Sequence, residues 1–391
     1  MITQEMNDRL TRVGPGTPMG NVMRRYWHPV GTVTELEQEP VQPLRLLGED
    51  LTLFRTERGE YGLIGNRCAH RAISLAYGIP QVNGLRCAYH GWTYDTEGHV
   101  VDMPFEPACL PLKITAYPVE EMGGLIWTYM GPEPRPLLPR FDLFVRDDVE
   151  RSIEINPLPC SWLNCMDNSL DPIHFEHLHG VYGNYVMKKL GKPPMLNVVR
   201  HLKIDFDRFE YGIVKRRLLE GEPETCDDWS IGHPILFPYT LLVGEDGRDA
   251  NYQIRVPTDD THTLHIRYQT RARKPDAPPQ EKIPVHRVLL FEEDGTPKGP
   301  ADTVPKQDML AWVGQGPISD RTAEHLVTSD KGVMLYHNLL LEQIERVERG
   351  EDPLGVVRDP AVNFPMIRIH LERAARVPFR RGIPAAALRE F

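Results

Sequence analysis

Residues 68–92, CAHRAISLAYGIPQVNGLRCAYHGW, carry Cys-x-His and Cys-x-x-His in two arms separated by sixteen residues. Four soft or borderline ligands on two short arms can hold a zinc ion or an iron–sulfur cluster. Zinc fingers generally keep their cysteines in one arm and their histidines in the other, so the mixed order fits zinc poorly. A [2Fe–2S] centre with two thiolates on one iron and two imidazoles on the other needs one cysteine and one histidine from each arm. Cys68, His70, Cys87 and His90 supply that set, with Gly91 and Trp92 behind them. The competing reading is a pair of unrelated buried cysteines with surface histidines, and the spacing argues against it. Replacing two thiolates by neutral imidazoles makes a cluster less negative, which raises its potential.

The flanking chain supports exposed arms on a small β domain. The first arm follows the strand candidate YGLIGNR (61–67), and the second follows the Asn-Gly turn of QVNGLR (81–86). With 391 residues, two domains are expected. Residues 1–25 read as a helical lead-in, 26–134 as a domain of short β runs, and 135–391 as a second domain, with the Pro-rich stretch 131–141 as linker. In the second domain residues 161–180 are helical in pattern, strand candidates run from 195 to 272, and 273–308 read as a long surface loop. Residues 330–353 form the strongest helix, with Val333, Leu335, Leu339, Leu340, Ile344 and Val347 on one face and Gly350 as terminator. The 36 prolines fit strands and ordered loops better than a helical bundle. A net charge of −10 argues against nucleic-acid binding. No apolar run approaches the roughly 18 residues of a membrane span, and MITQEMNDRL lacks a leader pattern, so a cytoplasmic protein without a membrane partner is expected. Six cysteines are too few for a disulfide scaffold at this length.

A second constellation lies at 164–180, NCMDNSLDPIHFEHLHG. Asp171 and His174 are three apart on one helical face, with Asp167 and Asn168 a turn earlier. His179 is five residues beyond His174, about 140° round an ideal helix. Both reach one metal only if the helix loosens or ends between them, and Gly180 offers an end. Two histidines with a distant carboxylate make the facial triad of non-haem Fe(II) sites, which leaves positions open for dioxygen. His177, at i+3 from His174, competes as a ligand.

The Cys/His segment resembles the Rieske motif of ring-hydroxylating and O-demethylating oxygenases, and D-x-x-H-x4-H at 171–179 resembles their mononuclear-iron motif. LTRVGPGTPMGNVMRRYWHPV (10–30), DMPFEP (102–107), GGLIWTYMGPEP (123–134), VPTDDTHT (256–263) and QGPISDRTAEHLVTSDKGVM (315–334) extend the likeness to the phthalate-dioxygenase type, which has α-subunits only. The resemblance implies Cys68, His70, Cys87 and His90 as cluster ligands and His174 and His179 on the iron, leaving His177 outside. It places the third iron ligand at Asp308 in KQDMLAWVGQG, with Asp302, Asp320 and Asp330 as rivals. It also implies that Asp171 bridges His174 to His90 of the partner subunit as the electron route. The implied fold is α+β, a small antiparallel Rieske domain beside a helix-grip-like catalytic domain whose antiparallel sheet surrounds a long C-terminal helix.

The implied activity is that of a terminal oxygenase. It takes electrons from NAD(P)H indirectly, through a flavin/iron–sulfur reductase or ferredoxin, and uses O2 on an aromatic substrate, as a homotrimer or stacked trimers. The expected reaction is dihydroxylation or monohydroxylation of a carboxylated aromatic, with O-demethylation of a methoxylated aromatic acid as the alternative. A pure Rieske electron carrier would leave the 171–179 motif unexplained; a non-catalytic ligand-binding module with an apolar pocket in the second domain is separated by iron content, two irons per chain against three for the oxygenase. Arg255, Lys188 and Lys189 are candidates for a substrate carboxylate. Cys160 and Cys165 read as buried thiols, Trp127 as small-domain core, and His28 and His99 as structural or surface. The C-terminal tail RIHLERAARVPFRRGIPAAALREF suggests no link to a substrate.

Overall fold

Thr3 and Thr17 each set a side-chain oxygen on the free N–H groups of the following turn, and short helices begin there, Gln4–Thr11 and Pro18–Met23. A computed structural model describes residues 2–244, 248–274 and 276–369; the tail from 370 onward lies outside the described residues.

The small domain is built from three antiparallel sheets. In one of them Ile79–Gln81 turns back through Gly84–Arg86 and pairs onward with Thr93–Tyr94 and Val100–Asp102. Gly84 is required at that turn. Its φ is +151°, and a Cβ there would lie 1.9 Å from the Tyr94 carbonyl oxygen. The second Cys/His arm is the loop that leaves this hairpin. The first follows the strand Tyr61–Gly65 of a neighbouring sheet.

The larger domain carries an eight-stranded sheet. Its strand order is His201–Phe209, Gly212–Leu219, His233–Leu236, Thr240–Gly244, Ala250–Pro257, Thr263–Ala272, Val149–Leu158 and Val285–Arg287. Seven strands pair antiparallel, but Val285–Arg287 runs parallel to Val149–Leu158, so the sheet is mixed and not antiparallel throughout. That strand comes from the segment 273–308 that the sequence reads as a loop, and a helix, Val304–Gly314, begins before the segment ends.

The predicted long helix spans Lys331–Glu348 and buries Val333, Leu339, Leu340, Ile344 and Val347. It stops where Gly350 takes φ +80°. Its Tyr336 packs against Phe237 of the sheet region, with ring centroids 6.2 Å apart. One apolar core runs through both domains, from Trp27 and Trp127 to Tyr239, Tyr252 and Ile344. Trp127 therefore sits at the junction, edge-on to Phe144 at 5.0 Å, and not inside the small domain. The small domain's own core gathers Phe54, Ile64, Leu75, Leu85 and Tyr94 around Cys68 and Cys87. His28 is a buried structural residue, bonded to the Met23 carbonyl at 2.9 Å and to the Tyr239 hydroxyl at 2.5 Å.

Candidate metal centres

Each Cys/His arm is a closed turn. The Ala72 N–H donates to the Cys68 carbonyl at 2.9 Å, and the Gly91 N–H to the Cys87 carbonyl at 3.0 Å. These turns face both thiols inward, each 3% exposed, and leave His70 and His90 exposed. The two imidazoles approach to 4.4 Å between centroids, and Trp92 stacks on His70 at 4.7 Å. An inner thiol pair and an outer imidazole pair match a cluster with one iron on each side. The Tyr94 hydroxyl accepts from the Ala69 N–H at 2.9 Å and lies 3.1 Å from Cys68 Sγ. Toward a metal-bound thiolate, which has no proton to give, the hydroxyl can only be the donor.

At the second site the chain solves the five-residue spacing by changing helix type. Phe175–Tyr182 is a π-helix, whose i→i+5 hydrogen bonds bring residues five apart onto one face. The helix does not end at Gly180; it runs on as an α-helix over Gly183–Lys189. His174 and His179 then converge on Asp308 of Val304–Gly314. Their Nε2 atoms lie 3.5 and 3.1 Å from Asp308 Oδ1, and the ligand atoms of all three residues fall within 4.8 Å of one another.

Each imidazole is oriented from behind. His174 Nδ1 bonds the Asp171 carbonyl, and His179 Nδ1 meets Gln307 Oε1 at 2.9 Å, so each Nε2 is free to ligate. Burial pushes His174 down to about 4, which keeps it neutral as a metal ligand must be. His179 is raised because Asp308 and Gln307 outweigh its burial. Asp308 Oδ1 is buried with no hydrogen-bond partner among the described residues. A carboxylate oxygen orphaned between two lone pairs fits a divalent cation.

The rivals are engaged elsewhere. Asp302 pairs with Lys192 and Lys306, Asp320 accepts from Thr322, and Asp330 accepts from the Val327 N–H. The His177 side chain is 67% exposed and is not among the residues that converge on the triad. Asp171 is positioned by the Ile173 N–H, which donates to Oδ1 at 2.8 Å, and burial raises its carboxyl.

Residues 26–118 match the Rieske [2Fe-2S] domain, and residues 294–369 match the family described as LigXa C-terminal domain like. The chain is similar to the 5,5'-dehydrodivanillate O-demethylase oxygenase subunit of Sphingobium sp. (strain NBRC 103272 / SYK-6), 41% identical over 95% of this chain and 87% of that one. The chain belongs to the Rieske non-haem iron oxygenases. This oxygenase is also similar to the phthalate 4,5-dioxygenase oxygenase subunit of Pseudomonas putida, 31% identical over 91% of this chain and 89% of that one. Its fold matches that of NdmA with caffeine from Pseudomonas putida CBB5, with TM-score 0.62 and 22% identity over 85% of this chain and 94% of that one. It is therefore the terminal oxygenase of a Rieske system, with a [2Fe–2S] cluster, a mononuclear iron and indirect use of NAD(P)H.

The oxygenase's iron triad opens into a cavity of about 150 Å³ lined by Lys215, Arg217, Gln253 and Arg255 among others. Arg255 is 1% exposed; among the described residues its guanidinium hydrogen-bonds Gln253 alone, and it lies 5.3 Å from the Trp312 ring centre. Burial pulls it down to about 10. Lys215 has no ion-pair partner among the described residues, and burial together with Arg217 pulls it down to about 8. Arg217 is neutralised by Asp228 at 2.8 Å. Sequence reasoning reached Arg255 but missed Lys215, Arg217 and Gln307. A strand alternation that places 215 and 217 on one face was available, but nothing showed which face looks at iron. Lys188 and Lys189 are exposed and outside this lining.

Proposed function

We propose that this oxygenase hydroxylates an aromatic substrate bearing a carboxylate, with Cys68, His70, Cys87 and His90 holding the cluster and His174, His179 and Asp308 holding the iron. One observation carries the substrate class: Lys215 and Arg255 line the iron cavity without an ion-pair partner among the described residues, and the carboxylate that shares the lining, Asp308, is committed to the metal triad. A buried arginine and a half-buried lysine that lack ion-pair partners are costly unless an anion joins them. A ring carboxylate seated on them would present another part of the ring to the iron.

Bound iron supplies dioxygen activation, and the cluster supplies single electrons. The protein's own contribution is orientation and insulation. Gln307 and the Asp171 carbonyl fix the imidazoles, and Phe175 and Val304 close the cavity beside the reacting centre. Asp171 links the iron site to His90 of the partner subunit in a head-to-tail trimer. The exposed cluster histidines, flanked by exposed Tyr77 and Tyr89, support that arrangement, as do exposed Val181, Tyr185 and Val198 near the iron helix. A reductase or ferredoxin is the electron donor; a related fold is known in the oxygenase and ferredoxin complex of carbazole 1,9a-dioxygenase. No helix of the described residues is long and apolar enough to cross a membrane, and we place the enzyme in the cytoplasm.

The O-demethylase relative favours one outcome among several. In it a methoxy group is hydroxylated and lost, ArOCH3 + O2 + 2e− + 2H+ giving ArOH, HCHO and H2O. The test is turnover, with a surrogate reductase, on aromatic acids with and without methoxy groups, under labelled dioxygen. Formaldehyde with a freed phenol establishes O-demethylation, whereas a product that has gained both oxygen atoms establishes ring dihydroxylation. Turnover of uncharged aromatics in preference to the acids would sink the carboxylate reading.

A further inference from the structure

The large sheet has one apolar face and one polar face. Ile153, Ile155, Ile266 and Ile254 lie on the apolar face, where Tyr252 and Tyr268 pack against Phe144. On the other face Asn156, His265 and Arg255 stand opposite one another on three successive strands. They are 0, 1 and 1% exposed. Trp312 covers them, edge-on to His265 at 5.2 Å and beneath the Arg255 guanidinium at 5.3 Å.

Polar atoms in this row are without partners. Asn156 Oδ1, both ring nitrogens of His265, Arg255 Nε and Trp312 Nε1 are all buried with no hydrogen bond among the described residues. Native structures carry few such atoms and scatter them, and a cluster of them calls for internal water or a part in chemistry. The row also has two distinct ends. Arg255 and Gln253 line the iron cavity. At the other end Asn156 donates to Glu154 at 3.1 Å, and Glu154 pairs with Arg267 at 3.1 Å, where both side chains reach solvent at 27 and 20% exposure.

Resting on the oxygenase reading, we propose that this row is a proton path from the Glu154 edge to the iron cavity, carried by internal water and by His265. Hydroxylation consumes two protons with its two electrons, RH + O2 + 2e− + 2H+ giving ROH and H2O. The electrons come from the reductase, and the protons must come from solvent once substrate fills the cavity mouth. Arginine cannot pass a proton on, because it does not lose its own. A neutral imidazole accepts at one nitrogen and donates from the other. Burial with Arg255 and Arg267 nearby holds His265 neutral.

Two measurements on the full holoenzyme test this. The first is steady-state turnover of His265→Leu and His265→Gln in H2O and D2O, with iron content, cluster spectrum and substrate Kd as controls. The expected result for His265→Leu is a kcat lower by roughly tenfold or more and a larger solvent isotope effect, with Kd and metal content unchanged. His265→Gln, whose amide still holds water, should lie between. A lower kcat with an unchanged isotope effect would mean that His265 is merely structural. The second is a high-resolution crystal structure of the wild type. Ordered water joining Asn156, His265 and Arg255 Nε is expected; direct side-chain pairing with no water between them overturns the path. That readout stands even if the enzyme refuses every aromatic acid, so failure of the substrate reading and failure of the path are distinguishable.

Discussion

Metal chemistry restricts which residue types can occupy a ligand position, and that restriction made Cys68, His70, Cys87, His90, His174 and His179 visible as candidates in a bare string of letters. The residues that tune those ligands are of common types and acquire meaning only from where they point. Tyr94 is one. Its hydroxyl, 3.1 Å from Cys68 Sγ, stabilises electron density on the sulfur and therefore the reduced cluster. Tyr94→Phe should lower the reduction potential by about 40 mV, the equivalent of one hydrogen bond of about 1 kcal/mol for a one-electron couple. Redox titration followed by EPR reads this directly, and an unchanged potential would show that the hydroxyl does not donate to sulfur. Gln307 is another, hidden in the sequence beside Asp308. Because it fixes the His179 ring at 2.9 Å, Gln307→Leu should cost roughly 10–100-fold in iron affinity with the cluster intact. Competition with a ferrous chelator measures that, and wild-type affinity in the variant would remove Gln307 from the site.

At the scale of elements, a spacing conflict was legible in the sequence but its solution was not. Residues five apart do not share a face of an α-helix, which forecast a loosened helix between His174 and His179. A π-helix and an α-helix differ by one residue in the span of their hydrogen bonds, and composition does not distinguish them, so Gly180 looked like an end. In the structure the chain passes through it. The strand Val285–Arg287 was missed for a related reason, since three residues inside a Pro-rich segment carry no periodicity. The long helix was legible because eighteen residues repeat one apolar face. What its sequence did not convey is how closely it approaches the end of the helix Trp162–Ser169, just before the iron site. A Cβ at Gly332 would lie 2.3 Å from the Leu170 carbonyl oxygen and 2.3 Å from the Phe206 ring. Backbone cannot yield as a side-chain tip can, so Gly332→Ala should push the long helix away from the turn that carries Asp171. The expected loss is about 1–3 kcal/mol of stability, seen as a lower thermal midpoint. Turnover should fall further than iron content does. An alanine variant with wild-type stability and turnover would show that the two elements are free to separate.

For the whole molecule the organising feature is a buried ionic hub that no local pattern could announce. Asp167 was noted only as lying one turn before Asp171, yet its partners are 154 and 170 residues away in sequence. Arg321, fully buried, reaches Asp167 at 2.6 Å and Asn7 at 3.3 Å, while His337 meets the other Asp167 oxygen at 2.8 Å. The hub joins the N-terminal helix, the helix before the iron site, the 319–321 segment and the long C-terminal helix. Burial alone would raise the Asp167 carboxyl, but Arg321 and His337 overcome it and hold the group below its ordinary value. A carboxyl lowered in the folded state contributes stability that is complete above its unfolded value of about 3.9. That contribution is lost as pH falls from there through the folded value. Asp167→Asn leaves Arg321 buried without a counter-charge, so at pH 7 it should cost about 3–5 kcal/mol. Below about pH 4 the unfolded chain takes up this proton first, and the wild type forfeits the advantage progressively until the pH has passed the lowered folded value. Unfolding midpoints of the two proteins should therefore be far apart at neutral pH and draw together in acid. Curves that stay parallel across the acid range would mean that Asp167 holds these elements by its shape and hydrogen bonds, and that its charge adds nothing.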